Sequence, residues 1–119
     1  MKVDDSVARP AKPRRHQRIV VPEGVTIRVS GVEDGRAVIG VATVIGLDGM
    51  FFRTIARRPV GSVMRLVLEC PGFSFQVAEC TVRSVNDYGM GTEFTAITPE
   101  DQLELTKLLL QLRVRVPHS

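Results

Sequence analysis

The stretch AVIGVATVIGLDGMFFRTI, residues 37–55, contains two β-rich runs with a turn between them. Ala37 to Ile45 and Met50 to Ile55 are rich in the β-branched and aromatic residues that favour strands. The intervening Gly46-Leu47-Asp48-Gly49 contains an Asp-Gly pair, which is typical of tight hairpins because glycine accepts a positive φ without steric cost. The stretch therefore predicts an antiparallel hairpin.

Strand patterns continue on both sides of this hairpin. Val25 to Val29 alternates like a half-buried strand, and Glu33-Asp34-Gly35 is a turn signal before the first long run. Later strand candidates are separated by turn-forming residues and comprise Ser62 to Cys70, Phe73 to Val85, and Gly91 to Ala96. Many short strands with regular turns predict a mainly β fold, a small antiparallel barrel or sandwich.

The last element is predicted to be a helix. Thr98-Pro99-Glu100-Asp101 supplies an N-cap hydroxyl, a proline at the first helical position and acidic residues that suit the helix dipole. Leucines recur at helical spacing and predict a stripe that packs against the barrel: Leu105, Leu108, Leu109 and Leu112. Leu103 and Leu110 lie off this stripe, and we interpret them as a widening of the core face rather than as a partner surface.

Charge is unevenly distributed along the chain of 119 residues, which is long enough for one domain. Residues 1–18 carry six basic and two acidic residues, a net charge of +4, which leaves −1 of the total +3 for residues 19–119. We divide the chain into a flexible arm (1–13), a single domain (14–115) and a tail (116–119). A positive arm favours an anionic partner such as a nucleotide, a nucleic acid or an acidic lipid.

Several classes of protein lack support in the sequence. No apolar stretch has the length or position of a signal peptide or a membrane span, so we expect a cytoplasmic protein without membrane insertion. Cys70 and Cys80 lack the spacing of a zinc site and are predicted to be small core residues. No catalytic triad, phosphate-binding loop or metal cluster is recognisable, so we expect neither an enzyme nor a resident cofactor.

The order of these features resembles the PilZ family of bacterial cyclic di-GMP receptors, over about Arg14 to Leu112. Arg14-Arg15-His16-Gln17-Arg18 fits the RxxxR motif of that family, with Arg14 and Arg18 as its arginines. Gly46 to Phe51 resembles the end of its (D/N)xSxxG motif, and Tyr88 to Phe94 resembles its late strand. The resemblance implies a six-stranded antiparallel barrel with a C-terminal helix. The ligand-binding residues that it implies are Arg14, Arg15, Arg18, Gly46, Asp48 and Gly49.

The second motif departs from the family pattern. With Gly49 as its glycine, the aspartate position falls on Val44 and the serine position on Gly46, and neither side chain can form a hydrogen bond. Each lost contact costs about 1–3 kcal/mol, and about 1.4 kcal/mol is a tenfold change in affinity. Asp48 offers a carboxylate in the same turn, although a role in turn formation explains it without a ligand.

Two functions from different classes are therefore open. The first is a cyclic di-GMP receptor whose arm orders on binding and signals to a protein partner. The second is a protein interaction module that has lost the ligand and uses strand edges or the terminal helix. Binding of single-stranded nucleic acid ranks lower, because aromatics are only 5% of the chain and most lie in strand patterns. Arg57-Arg58 is interpreted as a solvated pair.

Overall fold

A computed structural model describes residues 18–115, with side chains up to residue 113. The predicted arm, Arg14, Arg15 and the tail lie outside the described residues. The described part contains a helix, α1 (Pro99–Arg115), and seven strands, which are β1 (Ile19–Val20), β2 (Arg28–Glu33), β3 (Arg36–Ile45), β4 (Gly49–Arg53), β5 (Val63–Cys70), β6 (Phe73–Val85) and β7 (Gly89–Ala96).

Six of these strands form a closed antiparallel barrel. The strands pair in the order β3-β2-β5-β6-β7-β4, and β4 pairs with β3 to close the sheet. The two-residue strand β1 is an addition, which pairs with the end of β3 where β2 no longer reaches it. The predicted six-stranded barrel with a C-terminal helix is thus confirmed. The strand predicted over Val25 to Val29 begins later, at Arg28.

The two Asp-Gly pairs of the sequence form different turns. Asp34 and Gly35 both have positive φ, 52° and 73°, and connect the paired residues Glu33 and Arg36 in a two-residue hairpin. The turn at 46–49 also joins two antiparallel strands, as predicted. Gly49 is not among the described residues with positive φ, however, so the conformational reason for this glycine was wrong. Its role is steric and belongs to the site described below.

The barrel core is closed at one side by α1. Thr98 caps the helix, because its Oγ1 accepts a hydrogen bond from the Asp101 backbone N at 3.1 Å. The Asp101 side chain also accepts from the backbone N of Gln76 in β6, which ties the helix start to the barrel. The predicted stripe is buried: Leu105, Leu108, Leu109 and Leu112. Leu103 and Leu110 are exposed, on sides of the helix that face solvent. The prediction that they widen the core face of the helix was therefore wrong.

Three further expectations concern the core and its surroundings. Neither cysteine forms a disulfide: Cys80 is fully buried in the core, as predicted, whereas Cys70 is half-buried and packs against the core from its edge. Burial raises the pKa of the Cys80 thiol to about 11, although a hydrogen bond with Thr92 acts in the opposite direction. Within residues 18–115, no cluster of three potential ligands could hold a metal ion. The helix of the described chain is not long and apolar enough to cross a membrane.

Candidate functional site

The strand β1 determines where Arg18 lies. Ile19 pairs with Ile45 and Val20 with Val44, so the register places Arg18 beside Gly46, at the start of the β3–β4 turn. Ile45 is fully buried, whereas Val20 is largely exposed. Because successive side chains alternate across a strand, Arg18 lies on the outer face with Val20. The two-residue strand β1 thus brings the C-terminal end of the basic segment, residues 14–18, to the β3–β4 turn.

Arg18 forms an ion pair in this turn. Its Nε lies 3.1 Å from Oδ1 of Asp48, and the two side chains are 18% and 29% exposed. The turn itself is fixed by its backbone, because the Gly46 N donates to the Gly49 O at 2.9 Å and the Phe94 N donates to the Asp48 O at 2.9 Å. Asp48 is therefore held in position by β7 and orients the guanidinium.

Gly49 leaves room for that guanidinium. A Cβ at this position would lie 2.6 Å from Nη2 of Arg18 and would also collide with the carbonyl oxygen of Thr92 in β7. Any side chain here would therefore both displace the Arg18 guanidinium and push β4 away from β7. A glycine is thus required here because Arg18 and the backbone of β7 approach residue 49 too closely for a side chain, not because of its φ angle.

A pocket of about 300 Å³ opens beside the ion pair and is lined by Arg18, Asp48, Arg83, Ser84, Gly91, Thr92 and Glu93. We refer to it as the Arg18 pocket. The pairing of β6 with β7 shifts between Val82 and Ser84, which is a β-bulge at Arg83. A bulge re-aims the local side chain, and here Arg83 points to the pocket rim, where its Nε lies 2.8 Å from Oε1 of Glu93.

The described part of the Arg18 pocket contains as many anions as cations. Two arginines face two carboxylates, and each arginine is paired with one of them. The Arg83–Glu93 pair is about half exposed, so it contributes little to stability and opens readily. The Arg18–Asp48 pair is less exposed and holds its geometry better. A multiply charged anion therefore needs positive charge from another part of the chain.

The predicted site residues divide into three groups. Arg14 and Arg15 lie outside the described residues. Arg18, Asp48 and Gly49 are brought together at one corner, and Gly46 lies beside them as a buried backbone donor. The sequence reasoning missed five residues that line the pocket: Arg83, Ser84, Gly91, Thr92 and Glu93. The runs Phe73 to Val85 and Gly91 to Ala96 predicted the strands that carry these residues, but no signal in the sequence predicted the bulge at Arg83.

Val44 and Gly46 lie on the same face as Arg18. Val44 pairs with Val20 on one side and with Phe51 on the other, and it is half-buried between them. By the same register, Gly46 is the residue opposite Arg18. Of the two positions that depart from the motif, Gly46 is thus the direct cross-strand neighbour of Arg18 and Val44 is a diagonal one. Side chains at both kinds of position are close enough to interact.

The aromatic residues do not form a stacking surface. All six lie within the described residues, and Phe52 and Phe75 are core residues, while Phe51, Phe73 and Phe94 are half-buried. Tyr88 is the one exposed aromatic side chain. This distribution gives no support to the nucleic-acid interpretation, which requires several exposed rings along a basic groove.

The PilZ domain family model matches residues 12–111 of the chain. Among solved structures, the fold is similar to MrkH, described as a c-di-GMP-dependent transcription regulatory factor, with a TM-score of 0.72 and 16% identity over 87% of this chain. It is also similar to the PilZ domain of YcgR from Escherichia coli with c-di-GMP, with a TM-score of 0.64 and 15% identity over 87% of this chain. The match spans about half of the MrkH chain (52%) and 93% of the YcgR chain. No curated protein sequence matches the chain.

Proposed function

The chain belongs to the PilZ domain family, and from this premise we propose that it is a receptor for cyclic di-GMP that binds at the Arg18 pocket. The observation that carries the proposal is the position of Arg18, which Asp48 orients over Gly49 at the pocket entrance. The ligand has two phosphodiesters and two flat guanines. A guanidinium fork suits both, because it bonds phosphate bidentately and stacks on rings.

In this proposal, the basic segment completes the site. The Arg18 pocket is at the small end of ligand pockets, which are about 300–1,000 Å³, and its described charges cancel. Arg14 and Arg15 would add two positive charges from the segment that β1 anchors. Arg83 would exchange its exposed partner Glu93 for a ligand phosphate at small cost.

We further propose that ligand binding orders the arm and thereby creates a surface for a protein partner. An arm tied by the two residues of β1 is attached near the pocket, so ordering it needs no movement of the barrel. Relaxation measurements by NMR on the full chain should show slower motion of the arm and of residues 14–17 with cyclic di-GMP than without it. Equal mobility in both states would contradict this part of the proposal.

The receptor proposal is tested by calorimetric titration of the full chain with cyclic di-GMP at low salt. We expect binding in the micromolar range and an increase in Kd of at least about tenfold for Arg18→Ala. Arg65→Ala is the matched control, because Arg65 is an exposed arginine on β5, three strands away from β4 in the barrel. GMP at the same concentrations controls for a nonspecific nucleotide effect.

The second candidate is an interaction module that does not bind the ligand. Val44, Gly46 and the balanced charges of the pocket favour it. An absence of heat at high ligand concentration, for the wild type and for a variant with the motif restored, would support this candidate and reject the receptor proposal.

A further inference from the structure

A short loop after β4 exposes an isoleucine. The side chain of Ile55 is 99% exposed, and Ile39 of β3 is 67% exposed. The Thr54 hydroxyl donates to the Ile39 backbone O at 2.7 Å, so the loop begins beside Ile39. Single exposed apolar residues are common, so the exposure of Ile55 has functional meaning only if its loop and its neighbours also form a defined surface.

The loop is fixed at both ends, so the exposure of Ile55 is not a consequence of a loose segment. Thr54 is buried, and its Oγ1 also accepts a hydrogen bond from the Ala56 N at 3.0 Å. At the other end, Arg58 Nε lies 2.7 Å from Oε1 of Glu33, in an ion pair without hydrogen-bond geometry at Nε. The interpretation of Arg57-Arg58 as a solvated pair was therefore wrong for Arg58. Ile55 is presented by a pre-organised loop.

A pocket of about 320 Å³ lies next to Ile55, lined by Arg53, Thr54, Ile55, Arg57, Asp87 and Tyr88. Tyr88 is 67% exposed, and its turn is rigid because Asn86 Oδ1 accepts hydrogen bonds from the Tyr88 N and the Gly89 N. We refer to Arg53, Ile55, Arg57 and Tyr88 as the Ile55 surface. Tyrosine and arginine are the residue types that concentrate binding energy in protein interfaces.

The charge of this surface is positive and unbalanced. Arg57 donates to the Asn86 backbone O at 2.9 Å, but within residues 18–113 no carboxylate forms an ion pair with Arg53 or Arg57. Asp87 lines the same pocket without pairing with either arginine. Two guanidinium groups around apolar side chains are complementary to an acidic segment with an apolar residue of its own.

We propose that the Ile55 surface is a docking site for an acidic segment of a partner protein, whose bulky apolar side chain packs on Ile55 and Tyr88. Its carboxylates pair with Arg53 and Arg57. The surface is separate from the Arg18 pocket, because Arg53 pairs with Gly89 at one end of the β4–β7 ladder and Gly49 pairs with Glu93 at the other. Four residue steps along β4 separate these two ends by about 13 Å. The inference therefore does not depend on ligand binding.

The test uses the full chain without nucleotide, labelled for NMR. The probe is a synthetic acidic peptide with two central leucines. We expect saturable shifts at residues 53–57 and 86–89, with about a fivefold or greater loss of affinity for Ile55→Ser and for Arg53→Gln with Arg57→Gln. Asp87→Asn should strengthen binding, since it removes a like charge. Ile55 is in solvent, so its replacement leaves the fold intact.

The matched controls are Leu110→Ser, an exposed leucine on α1, and Arg65→Gln, an exposed arginine on β5, and neither should change the affinity. A peptide with glycines in place of its leucines should bind at least fivefold more weakly. The proposal would be overturned if the glycine peptide bound as tightly as the leucine peptide, or if the control variants lost as much affinity as the Ile55 and arginine variants. Either result would show that general electrostatic attraction explains the binding. The proposal would also be overturned by vesicle binding or self-association that requires Ile55 when the peptide does not bind.

Discussion

The Nε atom of Arg18 lies 3.1 Å from Oδ1 of Asp48, in a turn whose backbone is held by β7. This pair has two opposite effects on an anionic ligand. Asp48 orients the guanidinium, which favours binding, and its negative charge repels a phosphate, which opposes binding. Because the carboxylate is 29% exposed, solvent screens both effects, and each is about 1 kcal/mol or less.

Replacement of Asp48 by two different residues separates these effects. Asp48→Asn keeps an oxygen that accepts from Arg18 Nε and removes the charge, so we expect cyclic di-GMP affinity to rise about two- to fivefold. Asp48→Ala removes both effects and should change the affinity less. Asp34→Asn is the matched control, because asparagine also tolerates the positive φ of that turn. Calorimetry that shows weaker binding for Asp48→Asn than for Asp48→Ala would refute this account.

Gly49→Ala tests the close approach of Arg18 to β4. The added Cβ would meet Arg18 Nη2 and the Thr92 carbonyl oxygen, so we expect a loss of about 1–3 kcal/mol in the free energy of unfolding. A denaturant titration of Gly49→Ala, Arg18→Ala and the double variant forms a thermodynamic cycle. Part of the cost should disappear in the double variant, since one of the two clashes is then absent. Strict additivity would show that Arg18 does not occupy this position.

The sequence predicted the barrel better than the site, and particular residues explain the difference. Strand runs and the capped leucine helix are local patterns, and they predicted Phe73–Val85 and the N-cap at Thr98. The contact between Arg18 and Asp48 joins residues 30 positions apart, and it depends on β1, a strand too short to leave a pattern. Arg83 reaches the pocket through a bulge, which depends on register rather than on local composition.

The buried thiol of Cys80 predicts a dependence of stability on alkaline pH. Its pKa is raised from 9.0 to about 11 in the folded protein, chiefly by burial. Below pH 9 the thiol is protonated in both states and has no effect. Between pH 9 and 11 the unfolded state loses the proton and the folded state keeps it, so the stability contribution is lost as pH rises, by at most about 2.7 kcal/mol.

This loss is measured by urea unfolding at a series of pH values from 8 to 11. Cys80→Ala should be less stable at pH 8, because it leaves a small cavity in the core, but its stability should decline less steeply above pH 9. All ionisable groups other than Cys80 are common to the two proteins, so their effects cancel in the comparison. Parallel curves for the two proteins would show that the Cys80 thiol ionises as easily in the folded state as in the unfolded state.

Restoring the second motif tests whether the receptor proposal or the interaction module is correct. Val44→Asp places a carboxylate diagonal to Arg18, and Gly46→Ser places a hydroxyl opposite it, on the same outer face. We expect the double variant to bind cyclic di-GMP at least about tenfold more tightly than the wild type, since two polar contacts are regained. Isothermal calorimetry at one salt concentration measures the difference.

Each substitution also has a cost that the single variants reveal. The new Asp at position 44 replaces a half-buried valine and competes for Arg18, so Val44→Asp alone should gain less than the double variant. Gly46 is buried, and its N–H closes the turn to the Gly49 carbonyl, so Gly46→Ser alone is expected to lower stability. Val44→Asn also satisfies the (D/N) position, so comparing it with Val44→Asp separates the effect of the new charge from that of the regained hydrogen bond. If all four variants and the wild type bind no ligand, the basic segment serves another purpose and the interaction module is the better description of this domain.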